Sequence, residues 1–124
     1  MMENTDEIIF VYGTLRTGAS NHHRLEGGRF LGGGIVRGRM FRIAWYPGVV
    51  LDPDAGEVVG EIHAVDPAMM VALDEYEGSE YQRTRVRVDR GADHPAVDAW
   101  IWEYRMPVEG LVWITSGNWL EAGQ

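Results

Sequence analysis

The stretch Phe10-Val11-Tyr12-Gly13-Thr14-Leu15-Arg16 follows Ile8 and Ile9, so an apolar and aromatic run continues without a break up to Gly13. A short run of this kind predicts a strand in the middle of a sheet, buried on both faces. Gly13 can adopt backbone angles that are closed to other residues. Backbone N–H groups that remain free beyond the strand can hold an anion or an oxyanion. The alternative interpretation is a tight turn after a core strand, without a ligand.

Length and composition predict one domain over residues 1–124, and the absence of cysteine excludes disulfides and thiolate metal sites. The net charge of −8 argues against nucleic acid and anionic membranes as partners. The polar, acidic start at residues 1–7 is typical neither of a signal peptide nor of an anchor. No apolar run approaches the roughly 20 residues of a membrane span. We therefore expect a cytoplasmic protein.

Most of the chain is predicted to form strands separated by turns. The glycine-punctuated residues 30–45 predict one long, bent strand. Further strands are expected at 49–51, 57–65, 81–90, 97–104 and 111–114, with turns at 46–48 and 52–56. His63 is expected to be partly exposed on its strand. His22 and His23 lack further ligands at a suitable spacing, so no metal site is predicted.

One helix is predicted between Asp66 and Gly78. Asp66 suits the N-cap, Pro67 suits the first helical position, and Gly78 suits the end of the helix. At about 100° per residue, the apolar side chains of this segment form one stripe. The stripe comprises Met69, Met70, Leu73 and Tyr76.

Glu77 falls inside this apolar stripe, whereas Glu75 points to the far side of the helix. Burial disfavours a charged carboxylate, and so do the unpaired carbonyls at a helix C-terminus. Both effects raise the pKa of Glu77 towards the value that a general base needs near neutral pH. The alternative is that Glu77 binds a backbone N–H or Arg83 and only fastens the end of the helix.

Two segments together resemble the signatures of a known family. The stretch from Phe10 to Arg16, followed by Gly18 and Asn21-His22, is similar to the opening signature of the γ-glutamylcyclotransferase-like (AIG2-like) family. The stretch Leu73-Asp74-Glu75-Tyr76-Glu77-Gly78, with Tyr81-Gln82-Arg83 after it, resembles the second signature. Because the two occur in this order and at this distance, the pair is more specific than either segment alone.

The resemblance implies an α+β fold, with a mixed, twisted, partly barrel-like sheet and a few short helices. It implies that the loop Tyr12, Gly13, Thr14 and Leu15 binds the glutamyl part of a small-molecule γ-glutamyl substrate. It also implies that Glu77 is the catalytic acid/base and that Tyr81 orients the substrate. No cofactor is implied.

The implied reaction converts a γ-glutamyl amine into 5-oxoproline and a free amine. Two other interpretations remain open at this point. The same pocket can belong to a binding module that captures an amino acid or a γ-glutamyl peptide without turning it over, because a shared fold does not fix a function. The chain can also be an interaction protein that uses the aromatic face of its strand 97–104, with Trp100, Trp102 and Tyr104.

Overall fold

The computed structural model describes residues 5–122, so residues 1–4 of the predicted polar start and residues 123–124 of the predicted domain lie outside it. Within this range the chain forms seven strands, one α-helix and two short 3₁₀ helices. The strands are β1 (Glu7–Val11), β2 (Arg29–Arg42), β3 (Pro47–Leu51), β4 (Glu57–Val65), β5 (Tyr81–Val88), β6 (Val97–Tyr104) and β7 (Val112–Trp113). The helix α1 is Pro67–Glu77, and the 3₁₀ helices are His22–Leu25 and Gly78–Glu80.

The strand β1 lies inside the sheet, as its apolar run predicts. It pairs antiparallel with β4 and parallel with β6, in the order β3-β2-β4-β1-β6-β5, while β7 pairs with β2. Side chains alternate between the faces of a strand, so β1 contributes to two core clusters. Phe10 packs in a cluster with Trp119, and Ile9 packs in a second cluster with Leu73 of α1.

The sheet curls until β2 approaches the end of β5. The long strand β2 is irregular between Phe30 and Gly32. Its residue Ile35 exchanges two backbone hydrogen bonds, each of 2.9 Å, with Asp89, which follows β5. The predicted fold class is therefore confirmed: an α+β fold whose mixed sheet forms part of a barrel, with one short α-helix packed against it.

Helix α1 begins and ends where the sequence predicts. The Asp66 carboxylate accepts a hydrogen bond of 2.8 Å from the Met69 N–H. Gly78 has a φ of +74° and donates its N–H to the Asp74 carbonyl. Both contacts satisfy groups that a helix end leaves unpaired. No helix within residues 5–122 combines the length and the apolar character that crossing a membrane requires.

The predicted turn at 46–48 is wrong. Pro47 and Gly48 begin β3, and the turn lies earlier, where the N–H groups of Ile43 and Ala44 both donate to the Tyr46 carbonyl. Proline has no N–H for a sheet ladder but is tolerated as the first residue of a strand. Gly48 is needed for close packing rather than for a turn, because a Cβ there would lie 2.8 Å from the side chain of Tyr104.

The expectation that His63 is partly exposed is also wrong, because its side chain is 2% exposed. The prediction assumed that one face of β4 meets solvent. Instead, the rings of His22 and Phe30 cover that face of β4. Their centroids lie 6.0 and 5.4 Å from the ring centroid of His63. The Nε2 atom of His63 lies 3.2 Å from a carboxylate oxygen of Glu61, which is buried as well.

The aromatic face of β6 is mostly part of the core. Trp102 and Tyr104 are buried. Trp100 is half-buried, and the guanidinium groups of Arg83 and Arg85 lie 4.7 and 4.8 Å from its ring centroid. This face therefore presents little aromatic surface to a partner, which counts against the interpretation as an interaction protein that uses it.

Candidate active site

A cavity of about 200 Å³ lies where the loop after β1 meets the C-terminal end of α1. Every residue that the sequence analysis assigned to the site lines it: Tyr12, Gly13, Thr14, Leu15, Glu77 and Tyr81. These residues come from two segments that are about 60 positions apart in the chain. The two segments meet because Val11 of β1 and Leu73 of α1 pack in the same core cluster.

The loop after β1 begins with a tight turn from Gly13 to Arg16. The Arg16 N–H donates to the Gly13 carbonyl at 3.1 Å, which leaves Thr14 and Leu15 as the two central residues of the turn. Among residues 5–122, no acceptor binds the N–H groups of Thr14 and Leu15. Both residues are buried, and a buried N–H without a partner is costly. These two groups are therefore candidates to bind a ligand.

The carbonyls of the turn from Gly13 to Arg16 all accept hydrogen bonds from the protein. The Thr14 carbonyl accepts from the Asn21 N–H at 2.8 Å, and the Leu15 carbonyl accepts from His22 Nδ1 at 3.0 Å. The Arg16 carbonyl accepts from the Ala19 N–H at 2.9 Å. Within residues 5–122 this turn therefore has two backbone donors without a partner and no carbonyl without one, an arrangement that suits a carboxylate or a developing oxyanion.

Gly13 is required here for a different reason from the one the sequence suggested. Its φ is not positive, so special backbone angles are not the cause. A Cβ at this position would lie 2.7 Å from Cγ and 2.9 Å from Cδ of Pro47. The glycine therefore allows Pro47, which also lines the cavity, to pack closely against the loop.

Glu77 lines the same cavity from the last turn of α1. Its side chain is half-buried and makes no hydrogen bond or ion pair with any of residues 5–122. Burial, and secondarily the charge of Asp74, raises the pKa of Glu77 to about 7. A carboxylate with this pKa exchanges protons readily near neutral pH, as a general acid/base must.

The alternative role for Glu77, as a partner of Arg83, is not the observed arrangement. Arg83 Nε contacts Asp74 Oδ1 at 3.2 Å, and Trp102 Nε1 donates to the same oxygen at 2.9 Å. The cation of Arg83 and the indole N–H of Trp102 therefore both bind Asp74, and the backbone N–H of Gly78 ends the helix. Glu77 is left for whatever enters the cavity.

The hydroxyls of the two predicted tyrosines are already committed as donors. Tyr12 Oη donates to the Trp102 carbonyl at 2.7 Å, and Tyr81 Oη donates to the Pro47 carbonyl at 2.7 Å. Burial raises the pKa of both hydroxyls well above their ordinary value, so both stay protonated. Tyr81 can therefore offer a ligand a lone pair but not its proton, which suits an amine or ammonium group.

Sequence reasoning missed several residues of the cavity wall. Tyr76 lines the cavity, and its hydroxyl lies 3.2 Å from Oγ1 of Thr14, so it links α1 to the loop. Trp45, Tyr46 and Glu80 form another part of the wall. Tyr46 donates to Glu80 at 2.8 Å, which together with burial raises the pKa of Tyr46 to about 12. The only feature of the sequence that could have indicated Glu80 is its position directly before Tyr81.

Comparison with known proteins gives consistent matches over most of the chain. The model of the family described as Gamma-glutamyl cyclotransferase, AIG2-like, matches residues 9–121. A gamma-glutamylcyclotransferase family protein ytfP from Citrobacter rodentium is 39% identical over 119 residues, covering 94% of this chain and 97% of the relative. The gamma-glutamylaminecyclotransferase of Homo sapiens is 37% identical over 107 residues, covering 71% and 69%. A crystal structure of an AIG2-like protein from Mus musculus has a TM-score of 0.78 at 28% identity, covering 89% of this chain and 86% of that one.

Proposed function

The chain belongs to the Gamma-glutamyl cyclotransferase, AIG2-like, family, and we propose that it cyclises γ-glutamyl amines to 5-oxoproline with Glu77 as the general acid/base. One observation carries the proposal. Glu77, whose carboxylate has no partner among residues 5–122, lines the same cavity as Thr14 and Leu15, whose backbone N–H groups have no acceptor in that range. The lining of the cavity thus combines a proton acceptor with two candidate hydrogen-bond donors.

This polarity matches the reacting end of a γ-glutamyl compound. From the neutral α-amine, the nitrogen attacks the γ-carbonyl carbon, and a C–N bond closes a five-membered ring. Glu77 takes the proton that this nitrogen loses. The carbonyl oxygen becomes an oxyanion, which the N–H groups of Thr14 and Leu15 stabilise.

The ring-closed intermediate then collapses. The bond from the former γ-carbon to the leaving nitrogen breaks, and Glu77 returns its proton to that nitrogen. The products are 5-oxoproline and a free amine. Because nucleophile and electrophile belong to one molecule, the protein needs to supply orientation, one tuned base and oxyanion stabilisation.

The experiment that tests this function is incubation of the purified chain with a panel of γ-glutamyl amines, followed by mass spectrometry of the products. We expect release of 5-oxoproline and the free amine in equal amounts. A binding module would give heat in calorimetry or a shift in melting temperature with these compounds but no 5-oxoproline. That outcome would reject the enzymatic proposal and support the non-catalytic alternative.

The charge of the cavity predicts a preference among leaving amines. Its described lining includes two carboxylates, Glu77 and Glu80, and no lysine, arginine or histidine. A leaving group that carries its own carboxylate would meet like charge in a site of low dielectric. We therefore expect kcat/KM for a simple γ-glutamyl alkylamine to exceed that for glutathione by about tenfold or more. Glu80→Gln should narrow this ratio, and an equal ratio in both proteins would contradict the prediction.

A further inference from the structure

A second buried carboxylate, Glu61 of β4, lies behind the loop and has an environment opposite to that of Glu77. It is 7% exposed, and its oxygens have four protein contacts. Thr17 donates both its N–H and its hydroxyl to Oε1, at 2.9 and 3.0 Å. His63 Nε2 lies 3.2 Å from the same oxygen, and Arg16 Nε contacts Oε2 at 3.4 Å.

These contacts keep Glu61 charged and therefore keep it an acceptor. Burial alone would raise the pKa of Glu61, but the hydrogen bonds from His63 and Thr17 and the charge of Arg16 outweigh burial and hold it at about 2. Two carboxylates near one loop thus differ in function by their surroundings. Glu77 lines the cavity and has no hydrogen-bond or ion-pair partner among residues 5–122, whereas the carboxylate oxygens of Glu61 accept hydrogen bonds from the protein.

Glu61 contacts the two residues that come immediately after Thr14 and Leu15 in the chain. Arg16 and Thr17 come straight after Thr14 and Leu15, and Arg16 is also fixed by a hydrogen bond of 2.8 Å from Nη1 to Asn118 Oδ1. Movement of Arg16 and Thr17 would rotate the peptide units of the preceding turn. A tether at this point therefore controls where the N–H groups of Thr14 and Leu15 point.

We propose that Glu61 is a positioning residue for this site, which anchors residues 16–17 so that the N–H groups of Thr14 and Leu15 stay directed into the cavity. This inference rests on the proposed function. Glu61 does not touch the ligand in this scheme; it acts through the loop. Its contribution appears in the transition state, where the oxyanion exists, more than in the binding of the substrate.

The test compares Glu61→Gln with the wild type and with Glu57→Gln, an exposed glutamate on the same strand. A glutamine keeps the size of the side chain but loses the charge and replaces one acceptor oxygen by an NH₂ donor. We expect kcat to fall by roughly 10- to 100-fold with a smaller change in KM, while the midpoint of the pH–rate profile near 7 is retained because Glu77 is intact. Glu57→Gln should leave both constants within about twofold.

A purely structural role gives a different result, namely a lower melting temperature with an unchanged kcat in the folded protein, and this would overturn the inference. If Glu61→Gln does not fold, Thr17→Val serves instead, since it removes one donor to Glu61 from an exposed position. It should lower kcat several-fold without shifting the pH midpoint, and an unchanged kcat would overturn the inference.

An inactive wild type would instead reject the proposed function. In that case the amide NMR shifts of Thr14 and Leu15 test the tether directly: they should move in Thr17→Val, and unmoved shifts would count against it.

Discussion

Replacement of Glu77 by glutamine should lower kcat for 5-oxoproline release by roughly 10²- to 10⁴-fold, the range typical for loss of a general acid/base. Glutamine has nearly the same shape but neither takes nor returns a proton at neutral pH. The fold should survive, because Glu77 makes no hydrogen bond or ion pair within residues 5–122 that the substitution would break. The measurement is the rate of 5-oxoproline formation under single-turnover conditions, which excludes an effect on product dissociation.

The matched control is Glu75→Gln, on the same helix but exposed and directed away from the cavity. It should change kcat by less than about twofold.

The stability of Glu77→Gln should also differ from that of the wild type, in a way that depends on pH. The folded state raises the pKa of Glu77 from 4.5 to about 7, so ionisation of this group disfavours folding increasingly as the pH rises from 4.5 to 7. Glu77→Gln should therefore melt at a higher temperature than the wild type at pH 8, and at the same temperature near pH 4. Retained turnover in Glu77→Gln would contradict the role assigned to Glu77.

Replacement of Gly60 by alanine should destabilise the fold by about 3 kcal/mol, at the upper end of the usual cost of overpacking. Gly60 lies in β4, between β1 and β2. An added Cβ would stand 2.5 Å from the Val11 carbonyl oxygen and 2.5 Å from Cζ of Phe10. Neither neighbour can move away easily, because Phe10 is fully buried and Val11 is part of the central strand. The melting temperature should fall by roughly 10 °C.

Gly56→Ala is the control for Gly60→Ala, since a Cβ at position 56 would meet no atom within 4 Å in the part of the chain that the structure describes. It should leave the melting temperature within about 2 °C of the wild type. Because Val11 leads directly into the loop at the cavity, Gly60→Ala should also reduce kcat in whatever fraction remains folded. If Gly60→Ala were as stable as Gly56→Ala, the close packing of β1 against β4 at Gly60 would be contradicted.

The features that the sequence predicted correctly are those encoded by neighbouring residues. Helix α1 needed only Asp66, Pro67 and Gly78 at its ends and an apolar stripe between them. The same 3.6-residue period identified Glu77 as the carboxylate on the inner face. The buried character of β1 followed from one unbroken apolar run. Each of these signals lies within a dozen residues and is decided by local geometry.

The features that sequence analysis missed depend on residues that are distant in the chain. His63 looked exposed because β4 alternates, yet residues from the 3₁₀ helix at His22–Leu25 and from β2 cover that face. Glu61 gave no sign of its contacts with Arg16 and Thr17, which lie more than 40 positions earlier. Gly13 was singled out for its backbone angles, whereas its constraint comes from the close approach of Pro47 on another strand. Such contacts appear only once the sheet has curled.

The most direct test of the central claim is the pKa of Glu77 itself, measured by a carbon-13 NMR titration of side-chain carboxyl groups. Its resonance can be assigned by its absence from the spectrum of Glu77→Gln, and Glu75 provides an exposed reference on the same helix. The account predicts a titration midpoint at about 7 for Glu77, caused by burial beside the cavity. A midpoint near the ordinary value of 4.5 would contradict it, because a carboxylate with that pKa is solvated and lacks the tuning that the proposed proton transfer requires.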